Sequence, residues 1–451
     1  MGQAAVDDAP LTLEALAAYL AKGCKPPSDY RIGAEHEKFA FRLGSHDPIP
    51  YDGQGIEALM LGLKRFGWSD VREGETLIGL ERNGANVSLE PGGQFELSGA
   101  PLETIHDVHE ETVQHLAETK AVGSELDIGF LGLGFTPIWT REQVPVMPKG
   151  RYKIMRAYMP KVGKLGLDMM FRTCTVQANL DFSSEADMVA KFRASLALQP
   201  IATALFANSP FVEGEPSGIL SARANVWTDT DADRTGLLNF VFEDGFGFES
   251  YVRYALDVPM YFAKRGERYV DLSGKSFRKF IDGRLPEMPG ERATMKDWGD
   301  HLTTIFPEVR LKQYLEMRGA DCGPLDMLSA LPALWAGILY DPAALAAAWD
   351  LCKGWTPEDR VGLRQDAART GLHGQVAGRP IQDVARDLVA IAREGLKARA
   401  RSHDGAADET GFLDPLAEIA ETGVTRAERL LELYNGPWRG DVTRVFADAA
   451  L

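Results

Sequence analysis

The sequence predicts an α+β fold: an antiparallel sheet with one polar face, flanked by helices and followed by a helical C-terminal portion. Three observations carry this. Four segments before residue 325 alternate polar with apolar residues, the period of a strand. Between them lie amphipathic stretches with helical spacing. Beyond about residue 325 the chain turns Ala- and Leu-rich, as in PAALAAAWDLC and DVARDLVAIAREGLKARARS. The expected organisation is a sheet-bearing core with flanking helices over 1–325 and a helical portion over 326–451 packed on the same core.

The elements follow in order. In LTLEALAAYLAKG, Leu13, Leu16, Ala17 and Leu20 share a helical face, and Gly23 with Pro26-Pro27 stops the helix. Ser184 opens the clearest helix, where SEAD is an acidic variant of the capping box and Met188, Phe192 and Leu196 form the apolar stripe. Val384, Leu388 and Ile391 share one face of a C-terminal helix. The segment 401–411, RSHDGAADETG, reads as a mobile polar loop. The last predicted helix starts at the capping box of Thr425 and Glu428 and ends at Asn435-Gly436-Pro437.

The strands hold the functional signal. In RIGAEHEKFAF, Glu35 and Glu37 are two apart and project from one side. In VSLEPGGQFELSG, Ser88 and Glu90 share a face before the Pro-Gly-Gly turn, and Gln94, Glu96 and Ser98 share one after it. In RTCTVQANLDF, Thr173, Thr175, Gln177, Asn179 and Asp181 alternate with apolar residues and Cys174. In RLKQYLEMRGAD, read as a single strand, Lys312, Tyr314, Glu316 and Arg318 share a face. The commonest meaning of alternation is a wet sheet face. Recurrent Glu argues for more, because Glu is depleted in strands and clustered carboxylates need a cation between them. Oxygen-only ligands are what Mg²⁺ selects, especially when nucleotide phosphates complete its octahedron. Phosphate recognition would add arginine, and Arg318, Arg223 and Arg234 are the candidates.

Composition narrows the partners. With 45% apolar and 25% charged residues, the 451-residue chain is that of an ordinary globular protein. A formal net charge of −16 without basic runs excludes a nucleic-acid partner. No apolar run reaches the ~18 residues of a membrane span, and MGQAAVDDAP has neither a basic n-region nor an apolar core. Val6 stands where a myristoylation signal wants Ser or Thr. Cys24, Cys174, Cys322 and Cys352 form no CxxC pair, which fits a reduced cytoplasmic protein.

Other motifs fail. Lys275-Ser276 ends a P-loop-like stretch whose first glycine position is Tyr269. GFLGLGFTPI has Pro137 where a dinucleotide fingerprint needs its third glycine. His106, His109 and His115 match no zinc-protease spacing and read as helix-surface histidines. Cys174 lies on the apolar side of its strand and reads as a small hydrophobe.

At these residues the chain resembles the plant and alphaproteobacterial type of glutamate–cysteine ligase. The similarity runs from about residue 12 to the C-terminus through RIGAEHEKFAF, SLEPGGQFELSGAPLETIH, MPKGRYKIMRAYMP, the long stretch opening TCTVQANLDF, RANVWTDTDADRTG, FGFESYVRYALDVPMYF and HLTTIFPEVRLKQYLEMRGAD. The resemblance implies a glutamine-synthetase-like carboxylate–amine ligase fold, whose curved antiparallel sheet forms a funnel that binds ATP through Mg²⁺. By similarity Glu35, Glu37, Glu96 and Glu316 are expected metal ligands with Glu90 a further one, and Arg318 stabilises the transferring phosphoryl group. Gln177 stands where more distant members place a metal-facing histidine. Plant members carry regulatory disulfides; Cys174 matches one of those cysteines, but DLVAIAREGLKARA offers it no partner and Ser329 stands at another position. No plant-style redox switch is therefore expected.

The implied reaction joins the γ-carboxyl of L-glutamate to the amine of L-cysteine through γ-glutamyl phosphate, with ATP giving ADP and phosphate, in the first step of glutathione biosynthesis. Arg223 would hold a substrate carboxylate or phosphate, and Gln177 and Arg234 are further substrate-binding candidates. 2-Aminobutyrate is an expected alternative acceptor, since a small apolar pocket discriminates by only ~1–3 kcal/mol per methylene. The expected enzyme is a monomer or weak homodimer. The alternative is a guanidino-kinase-like phosphotransferase on the same fold.

Overall fold

The computed structural model describes residues 11–451; the readings made on MGQAAVDDAP lie outside them. Its centre is a nine-stranded sheet. The strands are β1 (Ile32–Arg42), β2 (Ser69–Glu73), β3 (Thr76–Arg82), β4 (Ala85–Leu89), β5 (Phe95–Ser98), β6 (Ile128–Leu131), β7 (Thr175–Leu180), β8 (Val309–Leu311) and β9 (Leu315–Asp321). They run in the order β8-β9-β7-β1-β5-β4-β3-β2, and every pairing is antiparallel. The long β1 serves two neighbourhoods: residues 32–38 pair with β5 and β7, and 39–42 pair with β6.

Alternation decides which side is which. On one side Ile32, Ala34, Phe95, Leu97, Val87, Val176, Ala178 and Met317 are buried. The helices are α1 (Leu13–Ala21), α2 (Ile105–Glu125), α3 (Gly150–Tyr158), α4 (Gly166–Arg172), α5 (Glu185–Leu205), α6 (Ala222–Val226), α7 (Leu325–Leu339), α8 (Pro342–Cys352), α9 (Ile381–Arg399) and α10 (Arg426–Asn435); α2, α5 and α7 pack on this side of the sheet, whereas α3, α4 and α6 border the polar side. One hydrophobic core runs from Leu16 of α1 through the sheet to Leu388 and Leu396 of α9. Among the described residues no single helix is long and apolar enough to cross a membrane.

Local signals decide the ends of these elements. Thr12 caps α1 by accepting from the Ala15 amide. Ser184 caps α5 by accepting from the Asp187 amide, while the Asp187 carboxylate takes the Ser183 amide, one residue earlier than a capping box requires. The reciprocal box of Thr425 and Glu428 is present at α10.

Four expectations need correction. RLKQYLEMRGAD is a hairpin, β8 and β9, turning at Lys312-Gln313-Tyr314, so Lys312 and Tyr314 lie in the turn. A further helical turn, Val445–Asp448, follows α10. The segment 401–411 is tied to the body by Glu409, which is fully buried and accepts from the Ile105 amide. His106 and His115 are buried rather than on the helix surface, and His109 meets the Ser329 hydroxyl at 2.8 Å.

Candidate active site

The polar side of the sheet gathers carboxylates from neighbouring strands through register alone. Glu37 stands opposite Glu96, and Glu96 opposite Ser88. Glu35 stands opposite Ser98 on one flank and Gln177 on the other. Asn179 faces Glu316, and Glu316 faces Arg310. Glu90 joins them from the end of β4. There the chain reverses through Pro91-Gly92-Gly93: Gly93 adopts φ +84°, and a Cβ on Gly92 would sit 2.5 Å from the Phe171 carbonyl oxygen. Gln94 fixes this turn, accepting from the Gly92 amide and donating to the Met170 and Thr173 carbonyls, so its role is structural.

Each carboxylate has a light neutral anchor. Asn179 donates to Glu35 at 2.7 Å, the Thr175 amide to Glu37 at 3.0 Å and the Ser88 hydroxyl to Glu96 at 2.9 Å. Burial, followed by repulsion from Glu316 and Glu96, pushes the Glu35 carboxyl up to about 7. Burial with Glu96 and Glu90 nearby holds Glu37 well above the ordinary carboxylate range, and burial with Glu90 nearby also raises Glu96.

Glu316, also an expected ligand, behaves differently from the others, because both of its oxygens are engaged by cations. Arg310 donates to both of its oxygens, Arg318 Nη1 adds a bond of 2.9 Å, and Lys312 Nζ lies 3.5 Å away. Burial alone would raise its pKa, but these cations hold it well below the usual range. To ligate a metal Glu316 would have to release a guanidinium. Arg318 also donates to the Gln177 amide oxygen at 2.7 Å, which engages the oxygen that would face a metal or substrate.

Of the other arginines, Arg223 belongs to the site and Arg234 does not. Arg223, on α6, is 2% exposed; it donates from Nη2 to the Arg318 carbonyl, and its Nε and Nη1 have no partner. Arg234 is completely buried. It pairs with Asp231 at 2.6 Å, donates to the Thr304 and Pro259 carbonyls and lies over the Tyr261 ring, so it braces the loop and cannot touch a substrate.

Sequence reasoning missed three cations. Arg310 sits across the hairpin from Glu316. Lys149 and Arg151, at the start of α3, face the carboxylates from the β4 side. Lys149 Nζ donates to the Leu89 carbonyl, and burial with Arg151 nearby lowers its pKa to about 8. Arg151 Nη2 is 4.0 Å from Glu90.

A cavity of about 80 Å³ opens beside these groups, lined by Glu37, Glu90, Arg223 and Arg318 on one side and by methionines on the other. A much larger cavity, about 850 Å³, lies among Tyr30, Lys191, Tyr340 and Trp349 on the helix side. There Lys191 is already bonded to Tyr30, Asp187 and the Asp181 carbonyl. Among the described residues no three His, Cys, Asp or Glu side chains form a ready-made metal cage. The oxygen-only donor set of Glu35, Glu37, Glu96 and Glu90 nevertheless suits a hard cation, because three of these groups are held against their own repulsion.

The family described as glutamate–cysteine ligase family 2 matches residues 31–448. A chloroplastic glutamate–cysteine ligase of Arabidopsis thaliana is 58% identical over 447 residues, covering 99% of this chain and 84% of that protein. Chloroplastic glutamate–cysteine ligase B of Oryza sativa subsp. japonica is 55% identical over 440 residues, covering 97% and 87%. The solved glutamate–cysteine ligase of Francisella tularensis in complex with AMP shares the fold, with a TM-score of 0.54 at 12% identity over 93% of this chain and 88% of that one. The cytoplasmic placement expected from cysteine usage and the opening residues is overturned by the plant relatives, which are chloroplast proteins by name. Matched by the family description over most of its length and more than half identical to these relatives, the chain belongs to glutamate–cysteine ligase family 2.

Proposed function

We propose that the carboxylate face of the sheet is where this ATP-dependent ligase joins the glutamate γ-carboxyl to the cysteine amine. The observation that carries the placement is the row of mutually repelling carboxylates Glu35 and Glu37, half-buried, and Glu96, buried, set beside Arg223 with two unpartnered donors. Such a row suits a divalent cation bearing nucleotide phosphates, and an unpaired buried guanidinium suits a substrate oxyanion.

Glu35, Glu37 and Glu96, with Glu90, would hold Mg²⁺, which when bound supplies charge neutralisation at the phosphates. The remaining chemistry falls to the chain. Arg223 grips the α-carboxylate of glutamate and leaves its γ-carboxylate to attack the γ-phosphorus of ATP, giving γ-glutamyl phosphate and ADP. Arg318, oriented by Glu316 and Gln177, faces the transferring phosphoryl group. The cysteine amine then attacks the acyl carbon, phosphate leaves with the C–O bond electrons, and the amine loses a proton. The cations of the site stabilise the intervening oxyanion.

The test is ADP release by the purified protein with ATP and Mg²⁺, omitting each amino acid in turn, with the product identified by mass. Release that needs both amino acids and yields γ-glutamylcysteine supports the reading. ADP release without a peptide product moves the activity to the phosphotransferase alternative.

A further inference from the structure

The cavity beside the carboxylates has two chemically different walls. One is charged, with Glu37, Glu90, Arg223 and Arg318; the other carries the thioethers of Met155, Met169 and Met170, and the rings of Trp227 and Phe306 also line the cavity. The methionines come from two different helices, Met155 from α3 and Met169 with Met170 from α4, and are 8%, 9% and 2% exposed. An apolar wall against a phosphoryl-transfer site is out of place unless some apolar part of a substrate rests there. The triphosphate brings only polar groups to the reacting centre, and glutamate brings two methylenes between its carboxylates. The amine acceptor alone brings a small, soft side chain.

Arg151 stands beside the same cavity, close to Glu90. It lies one helical turn before Met155 on α3, so both side chains leave the same face. Its Nε has no hydrogen-bond partner, and its Nη2 stands 4.0 Å from Glu90, which itself lines the cavity. A guanidinium with an unused donor next to a thioether pocket is a match for an α-amino acid: carboxylate on the fork, side chain on the sulfurs.

We infer that Met155, Met169 and Met170 form the seat for the acceptor side chain and that Arg151 holds the acceptor carboxylate, which leaves the amine turned toward Glu37 and Glu90. The inference rests on the carboxylate face being the ligase site. The seat beside the three methionines suits a side chain of two heavy atoms, that of cysteine or 2-aminobutyrate. Size, together with the soft thioether lining, then selects the acceptor, so serine is disfavoured for its polarity and norvaline for its length.

The experiment compares cysteine, 2-aminobutyrate and norvaline as acceptors for the wild type, Met155→Ala and Arg151→Ala. Met155→Ala should raise the norvaline-to-cysteine ratio of kcat/KM at least about tenfold, the worth of one accommodated methylene. Arg151→Ala should raise KM for every acceptor about tenfold or more with KM for glutamate unmoved, and Arg151→Lys should recover part of the loss. Should Met155→Ala fail to fold, Met169→Ala is read by the same ratio. An unchanged acceptor ratio in a folded variant, or an Arg151→Ala effect on glutamate or ATP instead of the acceptor, overturns the assignment. A wild-type protein that makes no γ-glutamyl product at all overturns the ligase reading of the site instead.

Discussion

Arg310 and Glu316 face each other across the β8–β9 hairpin, and the guanidinium donates to both carboxylate oxygens. Arg318 and Lys312 complete the cradle, so Glu316 is the anion that holds together three cations, Arg310 buried and the other two half-buried. Glu316→Gln would leave those cations repelling one another in the interior, at a cost of about 3–5 kcal/mol. Turnover should fall at least ~100-fold as Arg318 loses its orientation. Thermal unfolding and a magnesium titration of turnover check this. A variant of normal stability whose magnesium requirement has merely risen would make Glu316 a metal ligand after all.

Glu37 predicts the opposite sign. Its carboxyl lies beside Glu96 and Glu90 with only the Thr175 amide and the more distant Arg223 in support. Glu37→Gln removes a charge the metal-free fold resists, so the metal-free variant should be more stable than the wild type at pH 8. Turnover should drop ~100-fold or more, and the stabilisation of the wild type by Mg²⁺ with ATP should disappear. Urea unfolding with and without the nucleotide and metal measures both effects.

How much of this was legible follows from what periodicity can report. A strand repeats every two residues, so Glu35, Glu37, Gln177 and Asn179 declare a common face without any tertiary knowledge. Register between distant strands is silent in a single sequence, which is why the Glu37–Glu96 and Glu35–Gln177 pairings had to come from the fold. The β8–β9 hairpin escaped because its turn, Lys312-Gln313-Tyr314, contains no Gly, Pro, Asn or Asp, and Arg310 was hidden with it. Lys149 caps and Arg151 opens a helix whose pattern says nothing about which site it overlooks. Arg234 was misread because an isolated cation looks available until its partner is known, and Asp231 is only three residues away. His115 shows the same gap for helices: a polar residue on α2 is buried because Lys38, itself buried, meets its Nε2 at 2.9 Å.

Arg223 is the clearest test of where the donor amino acid sits. Its buried guanidinium keeps two donors unpaired, which the fold tolerates only if a ligand completes them. Arg223→Lys preserves the charge but not the planar fork. KM for glutamate should rise roughly 10–100-fold, the worth of one charge-assisted hydrogen bond, while KM for cysteine stays within about twofold. Initial-rate kinetics with each substrate varied in turn decides the matter; a selective rise in KM for ATP would move Arg223 to the phosphates.

His301 makes a prediction about acid stability that is independent of the site. It lies in the helix Met295–Leu302, 3% exposed, with Nε2 at 2.8 Å from the Ala255 carbonyl oxygen, so the ring is neutral and donates. Burial, with the Arg234 cation adding to it, lowers its pKa to about 4. The unfolded chain therefore binds a proton near pH 6.5 that the folded chain refuses until about pH 4. The neutral ring leaves stability untouched above pH 6.5, and as the pH falls toward 4 the folded state loses up to about 3 kcal/mol from this one group. His301→Gln keeps a donor for the Ala255 carbonyl but cannot be protonated. Its urea midpoint should fall less than that of the wild type between pH 7 and pH 4.5, and parallel losses in the two proteins would show that carboxylates alone set the acid limit.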